Sequence, residues 1–175
     1  MTLAETGIPS AEQVKSCYPP AEVRGRGPVA VFECFQRIPC DPCYWACPRG
    51  AVLEFQDIND LPRVDWARCN GCGLCVARCP GLAVFVVDET YAPGEGLLKL
   101  PHEFYPLPAE GEVVDALDRG GSRVGEARVV RVVGKRRGDT PVVWIAVDKS
   151  LLRDVRAIAI RPRAVRPRDG GESRV

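Results

Sequence analysis

Residues 69–80 read Cys69-Asn70-Gly71-Cys72-Gly73-Leu74-Cys75-Val76-Ala77-Arg78-Cys79-Pro80. This is C-x2-C-x2-C-x3-C-P, the spacing of the bacterial-type iron–sulfur run. The spacing has a physical reason. A cubane cluster needs thiolates converging on its corners, and three cysteines at two-residue intervals wrap one loop around a cube. Gly71 and Gly73 carry no Cβ, so the backbone can bend tightly and bring N–H groups close to the sulfides. Pro80 is expected to stop the short helix that carries Val76 to Cys79 and to turn the chain away. A zinc site usually draws on two C-x2-4-C pairs separated by a longer insert. Four cysteines within eleven residues, followed by proline, do not have that form.

Working outward, the run has a partner. A shift of 32 residues places Cys40 on Cys72, Cys43 on Cys75, Cys47 on Cys79 and Pro48 on Pro80, with Ala51 and Val52 on Ala83 and Val84. The chain therefore reads as a duplicated half. Each half is expected to hold a cysteine loop, a short helix and a strand, Ala51–Phe55 in the first and Ala83–Val87 in the second. In two-cluster domains the fourth Cys of each run serves the other cluster. One cluster would then sit on Cys47, Cys69, Cys72 and Cys75. The other would sit on Cys40, Cys43, Cys79 and a fourth ligand. The repeat does not supply that ligand, because Arg37 stands where Cys69 has its counterpart. Cys34 lies six residues before Cys40, and Cys17 lies 23 residues before it. Loop closure favours Cys34. A three-iron cluster with three ligands, or no first cluster, are the other readings.

At these residues the sequence resembles a two-[4Fe-4S] bacterial-type ferredoxin domain. Glu33-Cys34, Ile38-Pro39-Cys40-Asp41-Pro42-Cys43 and Ala46-Cys47-Pro48 are similar to a narrower group, the small iron–sulfur subunits of FAD-dependent amino-acid dehydrogenase complexes. Asn59-Asp60-Leu61-Pro62 and Pro80-Gly81-Leu82-Ala83-Val84-Phe85 resemble that group as well. The resemblance implies that Cys34 completes the first cluster. It also implies a hetero-oligomer in which a flavoprotein dehydrogenase subunit, holding FAD on its own chain, oxidises an amino acid such as proline, hydroxyproline or sarcosine.

Composition agrees with metal rather than disulfides. The chain has 175 residues, nine cysteines (an odd number) and a net charge of +1. Its N-terminus, MTLAETGIPS, has neither a positive start nor an apolar stretch, so a signal peptide is not expected. The longest apolar runs, Leu82–Val87 and Val142–Val147, are six residues, far below a membrane span. A cytoplasmic protein with reduced thiols is the expectation. Gly and Pro make up 33 of the 175 residues, which favours short elements and many turns.

Competing motifs are weak. Gly25-Arg26-Gly27-Pro28-Val29-Ala30 matches G-x-G-x-x-A, but only Val23 precedes it where a whole strand is required, and a strand follows it instead of a helix. It reads as a turn before a strand at Val29–Phe32. No G-x-x-x-x-G-K-[ST] occurs. The sole histidine, His102, lies in a Pro-rich stretch with no nucleophile motif near it and reads as a surface residue. Tyr44, Trp45 and Trp66 beside the cysteines either exclude water from a cluster or simply pack.

The expected architecture is α+β: a lead-in over 1–27, a two-cluster ferredoxin-like domain over 28–92, and a Pro-rich connector over 93–111. A small antiparallel β-sheet or barrel domain follows over 112–161, then a basic tail over 162–175. Val113–Leu117, Val124–Val133, Pro141–Val147 and Val155–Ile160 read as strands, with turns at Arg119–Ser122 and Lys135–Asp139. Val143, Ile145 and Val147 on one face and Val142, Trp144 and Ala146 on the other make a strand covered on both sides. Residues 1–100 carry 9 Lys/Arg against 12 Asp/Glu, and residues 101–175 carry 15 against 11. Arginine with proline and no interleaved aromatics suits a protein partner better than nucleic acid. An electron-transfer subunit follows from this, not catalytic alone, with a free soluble ferredoxin or an interaction module with structural clusters as the alternatives.

Overall fold

The computed structural model describes residues 3–134 and 140–161. The turn expected at 135–139 and the tail at 162–175 lie outside the described residues.

β-branched runs set the strands. Val29–Phe32 forms β1 and Val84–Asp88 forms β2, paired antiparallel with Val29 opposite Val87 and Phe32 opposite Val84. Glu95–Pro101 forms β3, Val113–Leu117 β4, Arg123–Val133 β5, Val142–Asp148 β6 and Ala157–Ala159 β7. They make one antiparallel sheet in the order β1-β2-β3-β6-β5-β4-β7. The helices are short: α1 Leu3–Thr6, α2 Ala11–Cys17, α3 Ala21–Arg24, α4 Pro42–Trp45 and α5 Leu74–Arg78. Thus the lead-in is largely helical turns, and α2 starts on a capping box. There the Gln13 N–H donates to Ser10 Oγ at 3.2 Å and the Ser10 N–H donates to Gln13 Oε1 at 2.8 Å.

The sheet buries both faces. On one, Val29, Val31, Leu98, Leu100, Ile145 and Leu152 belong to a core that also takes Tyr18 from the lead-in. On the other, Ala30, Phe32, Val84, Val86 and Val142 pack against Val52, Val76 and the cysteine loops. β6 is buried on both sides, as its sequence suggested, with Val142, Val143, Ile145, Ala146 and Val147 all inside. Each such fully buried aliphatic side chain contributes roughly 1.5–3 kcal/mol.

Four expectations need correction. The stretch 93–111 is not all connector, because β3 lies within it and pairs with β2 on one side and β6 on the other. Glu95, Gly96 and Lys99 disguise this strand. Gly96 is there because Leu152 Cδ1 fills the place a Cβ would take, and Lys99 is buried. The C-terminal strands consequently extend the same sheet rather than form one of their own. His102 is also buried, since its N–H donates to Pro141 O at 2.9 Å where the β3–β6 ladder continues past the strand end. Finally, the strand expected at Ala51–Phe55 contracts to a single bridge, Val52 to Val64. Pro62 has no N–H to extend that ladder, and the segment turns at once through Asp57, whose Oδ1 accepts from the Asn59 N–H at 2.8 Å.

Candidate metal centre

The cysteines gather around two pockets. Cys47, Cys69, Cys72 and Cys75 line one pocket, with Asn70, Gly71 and Gly73. Burial, and then the neighbouring Cys69, Cys72, Cys47 and Cys43, push the Cys75 thiol up to about 12. In the second set, Cys34, Cys40 and Cys79 border another pocket. Cys43 joins them electrostatically: burial, then Cys79, Cys34 and Cys40, push its thiol up to about 12. The Cys34 and Cys40 thiols are raised by burial first and by Cys79 next.

The crowding carries chemical meaning. Four thiolates at one place repel one another and resist ionisation unless cations sit between them, and a bound metal deprotonates its thiols outright. Among the described residues, no trio of His, Cys, Asp or Glu side chains stands at the spacing of a single metal ion. The cysteines around the first pocket offer sulfur donors alone.

The local fold explains the convergence. The 32-residue repeat is a structural one: α4 begins at Pro42 and α5 at Leu74, and the two helices pack together. After each helix the turn repeats atom by atom. The Gly50 N–H donates to Cys47 O and the Leu82 N–H to Cys79 O, both at 3.2 Å. The Ala51 N–H then donates to Cys47 Sγ at 3.2 Å, and the Ala83 N–H to Cys79 Sγ at 3.3 Å. Gly50 and Leu82 both have positive φ, 58° and 52°. The strand contacts exchange between halves, since Phe32 pairs with Val84 as Val64 pairs with Val52. This exchange carries Cys47 to the second half's loop and Cys79 to the first's.

Backbone donors surround the sulfurs. Ala30 and Gly71 N–H groups donate to Cys69 Sγ at 3.4 and 3.5 Å. Burial would raise the Cys47 thiol, but N–H groups of Val52, Ala51, Arg49 and Gly50 outweigh it and hold it below the ordinary value. Gly71, at φ +62°, lies against Pro28, whose Cβ would be 2.5 Å from any Cβ added there. Only glycine permits that approach.

Cys17 is set apart. Its thiol is pushed up to about 11 by burial and then by Glu33, opposed by Arg156 and Arg119, and none of these is a cysteine. Its Sγ–H donates to Val14 O at 3.3 Å. Cys17 and Cys34 do border one cleft, with Phe35 and Trp66, but Cys34 alone interacts with Cys40 and Cys79. Tyr44 and Trp66 pack inside, whereas Trp45 is 77% exposed and shields nothing.

Two groups beside the sets were not anticipated. Glu33, next to Cys34, accepts from Arg119 Nη2 at 2.6 Å and from Arg156 Nε at 2.7 Å. Lys99 donates from Nζ to Gly71 O at 2.6 Å. Their partners lie 86, 123 and 28 residues away, so no local pattern announces them.

Residues 62–85 match the 4Fe-4S binding domain family model, so the chain contains a ferredoxin-type 4Fe-4S domain around the second cysteine run. Cys34, Cys40, Cys43 and Cys47 lie outside that match. Among curated proteins, the pyruvate synthase subunit PorD of Methanocaldococcus jannaschii is 38% identical over 52 residues, 30% of this chain and 58% of the relative. The thiosulfate reductase electron transfer subunit PhsB of Salmonella typhi is 43% identical over 51 residues, 26% of each. PorD of Methanothermobacter marburgensis is 35% identical over 52 residues, 30% of this chain and 57% of the relative. The matched stretch thus spans a quarter to under two thirds of these relatives' lengths. No solved structure matches the chain. Among the described residues, no helix is long and apolar enough to cross a membrane.

Proposed function

We propose that this chain is the electron-transfer subunit of an oxidoreductase complex. It would hold one [4Fe-4S] cluster on Cys34, Cys40, Cys43 and Cys79 and another on Cys47, Cys69, Cys72 and Cys75. The observation that carries this reading is that Cys47, Cys69, Cys72 and Cys75 line one pocket while Cys34, Cys40 and Cys79 border another, so that Cys47 and Cys79 each stand among cysteines of the other half. Two relatives point the same way, one named as an electron transfer subunit and another as a synthase subunit.

When bound, such a cluster accepts and releases one electron, and with a thiolate on every iron it offers no open site to substrate. The protein's own residues position and insulate. Backbone N–H groups steady the sulfurs, and Val76 and Val84, buried beside the cysteine loops, keep water from one side. Two such one-electron centres would let electrons pass one at a time.

The finer reading rests on the resemblance of residues 33–48. The partner is then a flavoprotein dehydrogenase that oxidises an amino acid in the cytoplasm and delivers electron pairs from FAD, which two one-electron centres carry onward singly. Strands β4–β7, which a diffusing shuttle does not need, are the scaffold for docking. Anaerobic affinity purification from the native host tests this. A stoichiometric flavoprotein whose amino-acid substrate bleaches the visible absorbance of this chain is the expected result. A stoichiometric partner without flavin overturns the finer reading, and a monomer through gel filtration overturns the subunit reading.

A further inference from the structure

We infer that Lys99 raises the reduction potential of the cluster on Cys47, Cys69, Cys72 and Cys75. This rests on the ligand assignment proposed above. Lys99 is only 6% exposed. In the sheet it stands opposite Val86 of β2 and Trp144 of β6, on the face that packs against the cysteine loops. Its Nζ donates to the carbonyl of Gly71, between Cys69 and Cys72, and lies 4.0 Å from the centroid of the Trp144 ring. Arg131 lies over the same ring at 5.4 Å.

An ammonium has three donors and loses much solvation when buried. One carbonyl and one ring face return only part of that loss. Among the described residues Lys99 makes no ion pair. Burial lowers the ammonium from its ordinary value; Cys72, then Asp88 and Cys69, act the other way, and Arg131 adds to the lowering. Two of those three negative groups are cysteines of the adjacent loop. A cluster with four thiolates becomes more negative on taking an electron, so a fixed positive charge in a dry site favours the reduced form. Arginine there would keep the charge, and glutamine would keep a donor without it.

The test is redox titration followed by electron paramagnetic resonance, with Cys72→Ser identifying which signal belongs to this site. Lys99→Gln should move that signal's midpoint to more negative potential and leave the other signal unmoved, and Lys99→Arg should stay near wild type. Trp144→Leu, which admits water to the ammonium, should shift it the same way by less. It decides the matter if Lys99→Gln fails to assemble. An unmoved midpoint in the variant that assembles, or an equal shift of both signals, overturns the inference. A wild-type protein with no signal that Cys72→Ser removes overturns the ligand assignment itself.

Discussion

Arg37 stands where a regular repeat has cysteine, and Cys34 lies three residues before it. Its thiol interacts with Cys79 and Cys40, while that of Cys17 interacts with Glu33, Arg156 and Arg119. Cys34→Ser should therefore lose one cluster or convert it to a three-iron form, seen as loss of iron and an altered resonance signal, and Cys17→Ser should change neither. Glu33 gives a second prediction. Burial would raise its carboxyl, but the hydrogen bonds and charges of Arg119 and Arg156 hold it below the ordinary 4.5. A depressed carboxyl stabilises the fold above its unfolded value, and that contribution drains away as pH falls through the folded one. The stability difference between wild type and Glu33→Gln should thus be largest near neutrality and shrink below about pH 4.5. At neutrality Glu33→Gln should cost about 3 kcal/mol, because Arg156 is left buried without its counter-charge. Urea unfolding at several pH values checks both statements. Seven cysteines were legible as candidates from spacing, Cys34 from loop length, and Lys99 and Glu33 from nothing local.

At the scale of elements, the two turns after α4 and α5 are the clearest echo of the duplication. Both pass through the left-handed region, yet one uses Gly50 and the other Leu82. At Gly50 an added Cβ would meet only Arg68 Nη1, at 3.8 Å, so the penalty of a side chain there is conformational. Gly50→Ala should destabilise by about 1 kcal/mol with both clusters retained, which denaturant titration checks. The short helices were legible from the cysteine spacing and Pro80, and α5 indeed ends at Arg78. β3 was not. Its Lys99 looks like a surface residue until Gly71 and Trp144 are brought to it, and its Gly96 looks like a turn until Leu152 is packed against it.

For the whole molecule, the sheet joins what composition divides. β2 pairs with β3, and β3 with β6, so residues 28–92 share a ladder with the C-terminal strands. A fragment ending at residue 92 would leave Val86, Val87 and Asp88 without their β3 partners and remove Lys99 from beside Gly71. An unpaired edge of this kind invites association, and such a fragment should aggregate or bind iron poorly, as gel filtration and iron analysis would record. Composition distinguishes a cysteine-rich part from a valine-rich part, but it carries no information on strand order, which depends on pairings such as Pro101 with Val142.

The two clusters proposed on eight cysteines fix a stoichiometry. Iron and acid-labile sulfide, measured per chain on anaerobically purified protein, should each approach about eight. About four of each, or zinc in place of iron, would contradict it.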